Sequence, residues 1–330
     1  MATGVDWENG EHSSLVSIGT HRLLLSVYGP NRDPGSPIVI IMPGVASSIK
    51  EWVGVHRTLQ PVFRTLLYER AGLGDSDQSP NEPTAANIAL ELDLLLASAA
   101  IKPPYVIVCH SYGGITSREF LHLKMSKGEG DHISGIVFVD ANQEKSVQLW
   151  PDEVLNVIGK GVDRYEVTGL NRDMVLNDEE RKAMFEEKAS EKRQKTAELE
   201  MKHYINSCAI LGDKKQLEAE PPLLDSRPVS VLKGNCVRDH ERIYEAGVKL
   251  GNGTTEERLA YQRKLALYRE KDESLQKGNL RLSTKNHFAV AEKSGHSVHL
   301  TEPGAIFDEV KWVFDNIYKL LAPFSLPNYQ

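Results

Sequence analysis

The stretch Tyr105-Val-Ile-Val-Cys109-His110-Ser111-Tyr112-Gly113-Gly114-Ile115 constrains this chain more than any other, because an apolar run stops abruptly at a hydroxyl followed by two glycines. Tyr105 to Val108 are β-branched or aromatic, the pattern of a strand buried on both faces. After Gly114 the apolar positions Ile115, Phe120, Leu121, Leu123 and Met125 take up a helical spacing. Strand, sharp turn and helix start therefore meet at Ser111. The residues two positions to either side, Cys109 and Gly113, are small enough for the backbone to pass, and the serine is left standing clear of the sheet.

A serine on such a turn fits the nucleophile-elbow pattern, with cysteine where the first glycine usually stands. A serine hydroxyl is a poor nucleophile at its free pKa, so the pattern means chemistry only with a base, an orienting acid and an oxyanion hole elsewhere. On this string alone, an ordinary strand-to-helix turn capped by a serine is also open.

The rest of the chain supplies a setting. Residues 13–28 alternate around Gly19-Thr20 and predict an antiparallel hairpin. Ile38 to Met42 is a continuous apolar strand that runs into Pro43-Gly44-Val45-Ala46-Ser47, a turn whose backbone N–H groups suit an oxyanion hole. Val62 to Tyr68 predicts a further strand, followed by the polar, glycine-rich loop from Glu69 to Asp77. Thr84 to Ala100 predicts a crossover helix ended by Pro103-Pro104, and Ile133 to Val139 a buried strand ending on Asp140. This succession predicts a parallel sheet with right-handed crossovers. From 145 to 225 no buried strand is expected, only helices around Val154 to Ile158 and from Asp178 to Leu211. The charged stretch Glu186 to Glu200 reads as a solvated face. Sheet signals resume at Pro228 to Gly234, a helix follows with a capping box at Thr254 and Glu257, and Phe288 to Ala291 is the last strand. It leads to Ser294-Gly295-His296-Ser297-Val298-His299 and a closing helix from Pro303 to Leu321.

Bulk properties narrow the function classes. A net charge of -7 gives no electrostatic reason to expect nucleic acid or an anionic membrane as partner. No run of about 18 apolar residues is present and the start has no apolar h-region, so a cytoplasmic location is expected. Cys109, Cys208 and Cys236 are odd in number and widely spaced, which suggests neither a disulfide framework nor a metal site. No cofactor or metal is expected, and the oligomeric state is not legible.

Strand, elbow, helical insertion and a late Gly-His after the last strand resemble the α/β-hydrolase family from about residue 15 to 321. The matching pieces are Pro43-Gly44-Val45, Glu69-Arg70-Ala-Gly72-Leu-Gly74-Asp-Ser76, His110-Ser111-Tyr112-Gly113-Gly114, Val139-Asp140 and Gly295-His296. The resemblance implies a mostly parallel, eight-stranded α/β sheet flanked by helices. Its core would be residues 1–144 and 226–330, with a helical cap at 145–225 inserted after the sixth strand. It implies Ser111 as nucleophile, His296 as base, and the backbone N–H groups of Val45 and Tyr112 as oxyanion donors. Pro43 stands where the family usually has histidine. The acid is Asp140 or, in the later slot, Asp239, with Asp140 favoured because a carboxylate ending an apolar strand needs a partner; Glu144 ranks third. Gly44 flanks the hole, His110 and His299 are read as packing residues beside the site, and Arg70 as a brace of the site floor.

The expected function is a serine hydrolase cleaving a carboxylic ester or lactone of a small, fairly apolar molecule through an acyl-enzyme. Epoxide hydrolases and haloalkane dehalogenases of this fold carry aspartate at the elbow, and this chain has serine. The alternatives are a C–C bond hydrolase or lyase, a thioesterase, an aminopeptidase using Glu186, Glu187 or Glu191 to grip an amine, and a non-catalytic ligand-binding relative.

Overall fold

The computed structural model describes residues 4–321, so the outermost parts of the two expected core ranges lie outside the described residues. Eight strands form one sheet: β1 His12–Ser17, β2 Arg22–Tyr28, β3 Ile38–Met42, β4 Thr65–Tyr68, β5 Tyr105–His110, β6 Ile133–Val139, β7 Val229–Gly234 and β8 Asn286–Ala291. Their spatial order is β1-β2-β4-β3-β5-β6-β7-β8. β2 runs antiparallel to both of its neighbours, and β4 onward is parallel throughout. The strand placed at Val62 begins only at Thr65, because Val62 is exposed and the chain is still turning out of the preceding helix.

The helices in chain order are α1 Val53–Leu59, α2 Ala85–Ser98, α3 Gly113–Ser126, α4 Glu153–Ile158, α5 Arg164–Thr168, α6 Leu170–Asp173, α7 Asp178–Ala189, α8 Glu191–Asp213, α9 Cys236–Lys249, α10 Thr255–Gly278, α11 Val298–Thr301 and α12 Pro303–Leu321. β5 shows why the sheet needs two covering layers. Tyr105, Ile107 and Cys109 pack with Leu92 and Leu96 of α2 and Phe120 of α3. Val106 and Val108, on the opposite face, pack with Val55 of α1 and Val310 and Val313 of α12. A strand with both faces buried has no polar alternation, and β5 is buried along its whole length.

The long charged helix expected from Asp178 to Leu211 is two helices. Ser190 takes an extended conformation (ψ 140°) between them, and its side chain caps α8 by accepting from the Arg193 N–H. A further helix, α9, follows β7, where the sequence pattern placed a helix only from Thr254 onward. Asn235 caps it through the Arg238 N–H, and Ile243 packs with Leu155 and Ile158 of α4 and Tyr261 of α10. The capping box at Thr254 and Glu257 is present, with reciprocal bonds of 2.7 and 3.1 Å. Helices inserted between β6 and β7 thus pack against helices inserted between β7 and β8.

Beneath these insertions, Glu69 at the end of β4 is buried. Its Oε1 accepts from Ser48 Oγ at 2.5 Å and Ile49 N–H at 3.2 Å. Burial outweighs these bonds and raises its carboxyl to about 7. A folded-state pKa above the unfolded one gives stability that is complete below about pH 4.5 and is lost as pH rises through about 7. Glu69→Gln, which cannot ionise, should therefore gain stability relative to wild type across that interval, by on the order of 2 kcal/mol. Urea unfolding at pH 5 and pH 8 checks this; a difference between the two proteins that does not change with pH would sink it.

Candidate active site

Ser111 lies where β5 ends and α3 begins, with φ at +53°. An L-residue there is strained by about 1 kcal/mol or more, and persists only where the surroundings hold it. The holding contacts are specific. Asn142 N–H donates to the Ser111 carbonyl at 2.8 Å, and Gly114 N–H to the same carbonyl at 2.9 Å. A Cβ on Gly113 would stand 2.1 Å from the Met42 carbonyl oxygen, so only glycine lets α3 start this close to β3. Gly44 faces the serine from the β3 side: a Cβ there would be 3.0 Å from Ser111 Cβ and 3.4 Å from its Oγ.

Asp140 follows β6 at φ +40° and is buried, 2 % of its side chain exposed. Its Oδ1 accepts from Gly234 N–H at 2.8 Å, while Oδ2 accepts from the Cys236 thiol at 2.9 Å and from His296 Nδ1 at 2.6 Å. Burial opposes the charged carboxylate, but the hydrogen bond and charge of His296, then those of Cys236 and Gly234, outweigh it and lower the Asp140 pKa. The converse holds for His296. Withdrawal from bulk water opposes its charged form even though 46 % of the side chain is open to the cavity, yet the Asp140 bond and charge raise its pKa above 6.5. With its Nδ1–H committed to Asp140, Nε2 is the nitrogen left to accept a proton.

Ser111, Asp140 and His296 line one cavity of about 210 Å³. No hydrogen bond joins Ser111 Oγ to His296 in this structure. The wall carries Leu149, Trp150 and Leu275, but also Asn142, His240, Asp272 and Gln276, so the cavity is more polar than the fairly apolar substrate expected from the sequence.

Val45 and Tyr112 sit at the ends of the two turns that flank Ser111. Among the described residues neither N–H donates to a protein acceptor. Tyr112 also stands at the N-terminus of α3, where the helix dipole favours negative charge.

Asp239 lies in the first turn of α9, paired with Arg238 at 2.8 Å, and packs against the Gly295 backbone without bonding to His296. Glu144 is bound to the buried Arg118. His110 donates its Nε2–H to the His296 carbonyl at 2.8 Å and lies ring against ring with His296 and His299, so it supports the loop that carries His296. Burial holds it well below 6.5 and thus neutral. His299 stacks on Trp52 at 4.8 Å. Arg70 donates to the carbonyls of Pro43 and Gly44 and pairs with Glu200.

Glu200 is where the reading of Glu186 to Glu200 as a solvated face fails. Glu186, Glu191, Lys195 and Glu198 are exposed, but Thr196 and Glu200 are buried against core loops. Thr196 Oγ1 donates to the Gly72 carbonyl at 2.7 Å and Lys192 Nζ to the Gly74 carbonyl at 2.6 Å. A signal was present: Arg193, Thr196, Glu200, Tyr204, Ser207 and Leu211 recur at helical spacing on one side of α8. Cys236 was also missed as a site residue, although it follows Gly234 at the end of a buried strand. Among the described residues, Asp140, Cys236 and His296 form the cluster of metal-ligating atom types, within 4.8 Å of one another, and Cys236 Sγ and His296 Nδ1 are both hydrogen-bonded to Asp140 Oδ2.

The sheet and its helical insertions are those of an α/β-hydrolase. The chain belongs to this family: residues 38–309 match the one described as "Alpha/beta hydrolase family". An "AB hydrolase superfamily protein" of Gibberella zeae is 33% identical over 299 residues, covering 88% of this chain and 90% of that protein. The "Probable transporter efuK" of Hormonema carpetanum is 32% identical over 316 residues, 94% of this chain but 44% of that protein. In structure the chain is similar to Cfl2 of Burkholderia cenocepacia, with a TM-score of 0.60 at 15% identity, covering 92% of this chain and 96% of that one. This last likeness concerns the fold. Among the described residues no helix is long and apolar enough to cross a membrane.

Proposed function

We propose that this hydrolase is a serine hydrolase that cleaves a carboxylic ester or lactone of a small molecule through an acyl-enzyme. The observation that carries the proposal is the His296–Asp140 pair at 2.6 Å in the same cavity as Ser111. In this reading His296 Nε2 takes the Ser111 proton as Oγ attacks the carbonyl carbon. The Val45 and Tyr112 N–H groups hold the oxyanion, and Asp140 stabilises the imidazolium. The tetrahedral intermediate collapses when His296 returns the proton to the leaving alkoxide. Water then hydrolyses the acyl-enzyme by the same two proton transfers. Polar groups on the cavity wall favour a substrate with a hydrogen-bonding group besides the scissile ester. Glu186, Glu187 and Glu191 do not line the cavity, which weighs against their use as an amine grip.

A fluorophosphonate probe together with a panel of short p-nitrophenyl esters tests the proposal. Labelling of Ser111 with concurrent loss of ester turnover is expected. A folded protein that neither reacts with the probe nor releases p-nitrophenol would turn attention to C–C cleavage, lyase chemistry or ligand binding in this cavity.

A further inference from the structure

The segment from Pro43 to Ser48, which carries the Val45 N–H, is neither strand nor helix. Ala46 within it has φ +44°, a conformation that must be imposed from outside. Both polar groups of the Ala46 backbone are taken by α8: its N–H donates to Glu200 Oε2 at 2.7 Å, and its carbonyl accepts from Arg193 Nε at 3.1 Å. On the other side of Val45, the Pro43 and Gly44 carbonyls accept from Arg70 at 3.0 and 2.5 Å. Arg70 is in turn gripped by Glu200, Nε to Oε1 at 2.9 Å and Nη2 to Oε2 at 3.1 Å. The two side chains are 3 % and 1 % exposed. Val45 is thus bracketed by residues whose backbone groups are fixed, directly or through Arg70, by one carboxylate on an inserted helix.

We infer that Glu200 is a positioning residue for the oxyanion hole: docking of α8 aims the Val45 N–H at the developing charge, so the hole is complete only with this helix in place. This rests on the proposal that Val45 receives the oxyanion. The geometry favours it over a plain structural role. A buried ion pair alone is weak evidence for stability, since apolar replacement of both partners is often neutral or stabilising. Here, however, the carboxylate also binds the loop backbone, which an apolar side chain cannot do.

The two roles separate in a set of variants assayed on p-nitrophenyl butyrate, with Ser111→Ala as baseline, Tm for each, and the inhibition constant of an alkyl trifluoromethyl ketone. Glu200→Leu leaves the Arg70 guanidinium buried without a counter-charge and should lose both stability and activity. Arg70→Met/Glu200→Leu removes both charges. Its Tm should return toward wild type while kcat stays roughly 10²-fold down, the loss typical of one oxyanion donor, with KM little changed and the ketone weakened by a similar factor. Glu200→Gln keeps volume and an acceptor for Ala46 N–H but loses the paired grip on Arg70; it should show an intermediate kcat, and stands in should the double variant not fold. Wild-type kcat in a folded double variant, or in Glu200→Gln, would overturn the inference, as would a loss confined to KM. Wild type without Ser111-dependent turnover would overturn the serine-hydrolase reading and this inference together, whereas unaffected variants of an active enzyme overturn the inference alone.

Discussion

Ser111→Ala should lower turnover of p-nitrophenyl esters by about 10⁴- to 10⁶-fold, the range seen when a triad nucleophile is removed. Among the described residues, no other hydroxyl combines the elbow strain, the nearby unpaired N–H groups of Val45 and Tyr112 and a place in the cavity of the His296–Asp140 pair. Ser146 also lines the cavity. Its hydroxyl is committed to the Gln143 N–H at 3.0 Å as part of a helix cap, and it should not substitute. The variant should keep its fold, since alanine loses only a hydroxyl that makes no protein hydrogen bond here. It should also fail to react with a fluorophosphonate. Mass spectrometry of labelled protein with steady-state rates checks both points; ester turnover that survives Ser111→Ala would end the acyl-enzyme proposal.

Asp140→Asn should cost about 10⁴-fold in kcat, the size seen when a triad acid becomes an amide and the histidine tautomer is lost. Asp239→Asn should remain within about threefold, because Asp239 bonds to Arg238 and not to His296. The pH profile separates orientation from folding. His296 must be neutral to accept a proton, and its pKa is raised above 6.5 by Asp140 against the effect of burial. The acid limb of kcat/KM in wild type should therefore fall above pH 6.5. In Asp140→Asn the opposing effect of burial remains, so the residual activity should rise at lower pH than in wild type. An acid limb unmoved by Asp140→Asn, or an Asp239→Asn enzyme that is silent and folded, would reassign the acid.

Much of the fold was legible because its signals are local. A strand buried on both faces must be continuously apolar, as β3 and β5 are, and the small residues around Ser111 follow from a turn that no bulky neighbour allows. What misled was polarity read without tertiary partners. Glu186 to Glu200 is charged enough to suggest solvent, yet Glu200 is buried because Arg70 offers it a guanidinium. Asp239 was open as an alternative acid, whereas Asn235 caps α9, Asp239 pairs with Arg238 in its first turn, and the apolar face of α9 finds α4.

The sequence by itself determined the strand–elbow–helix, the parallel succession of strands and the late Gly-His, since each depends on neighbours within a few turns of chain. The tertiary structure alone decided which carboxylate meets His296, across 156 residues, and that α8 holds the Ala46 N–H, across 154. Such pairings depend on where separate elements come to rest. A charged side chain carries no local mark of the partner that will take it out of water.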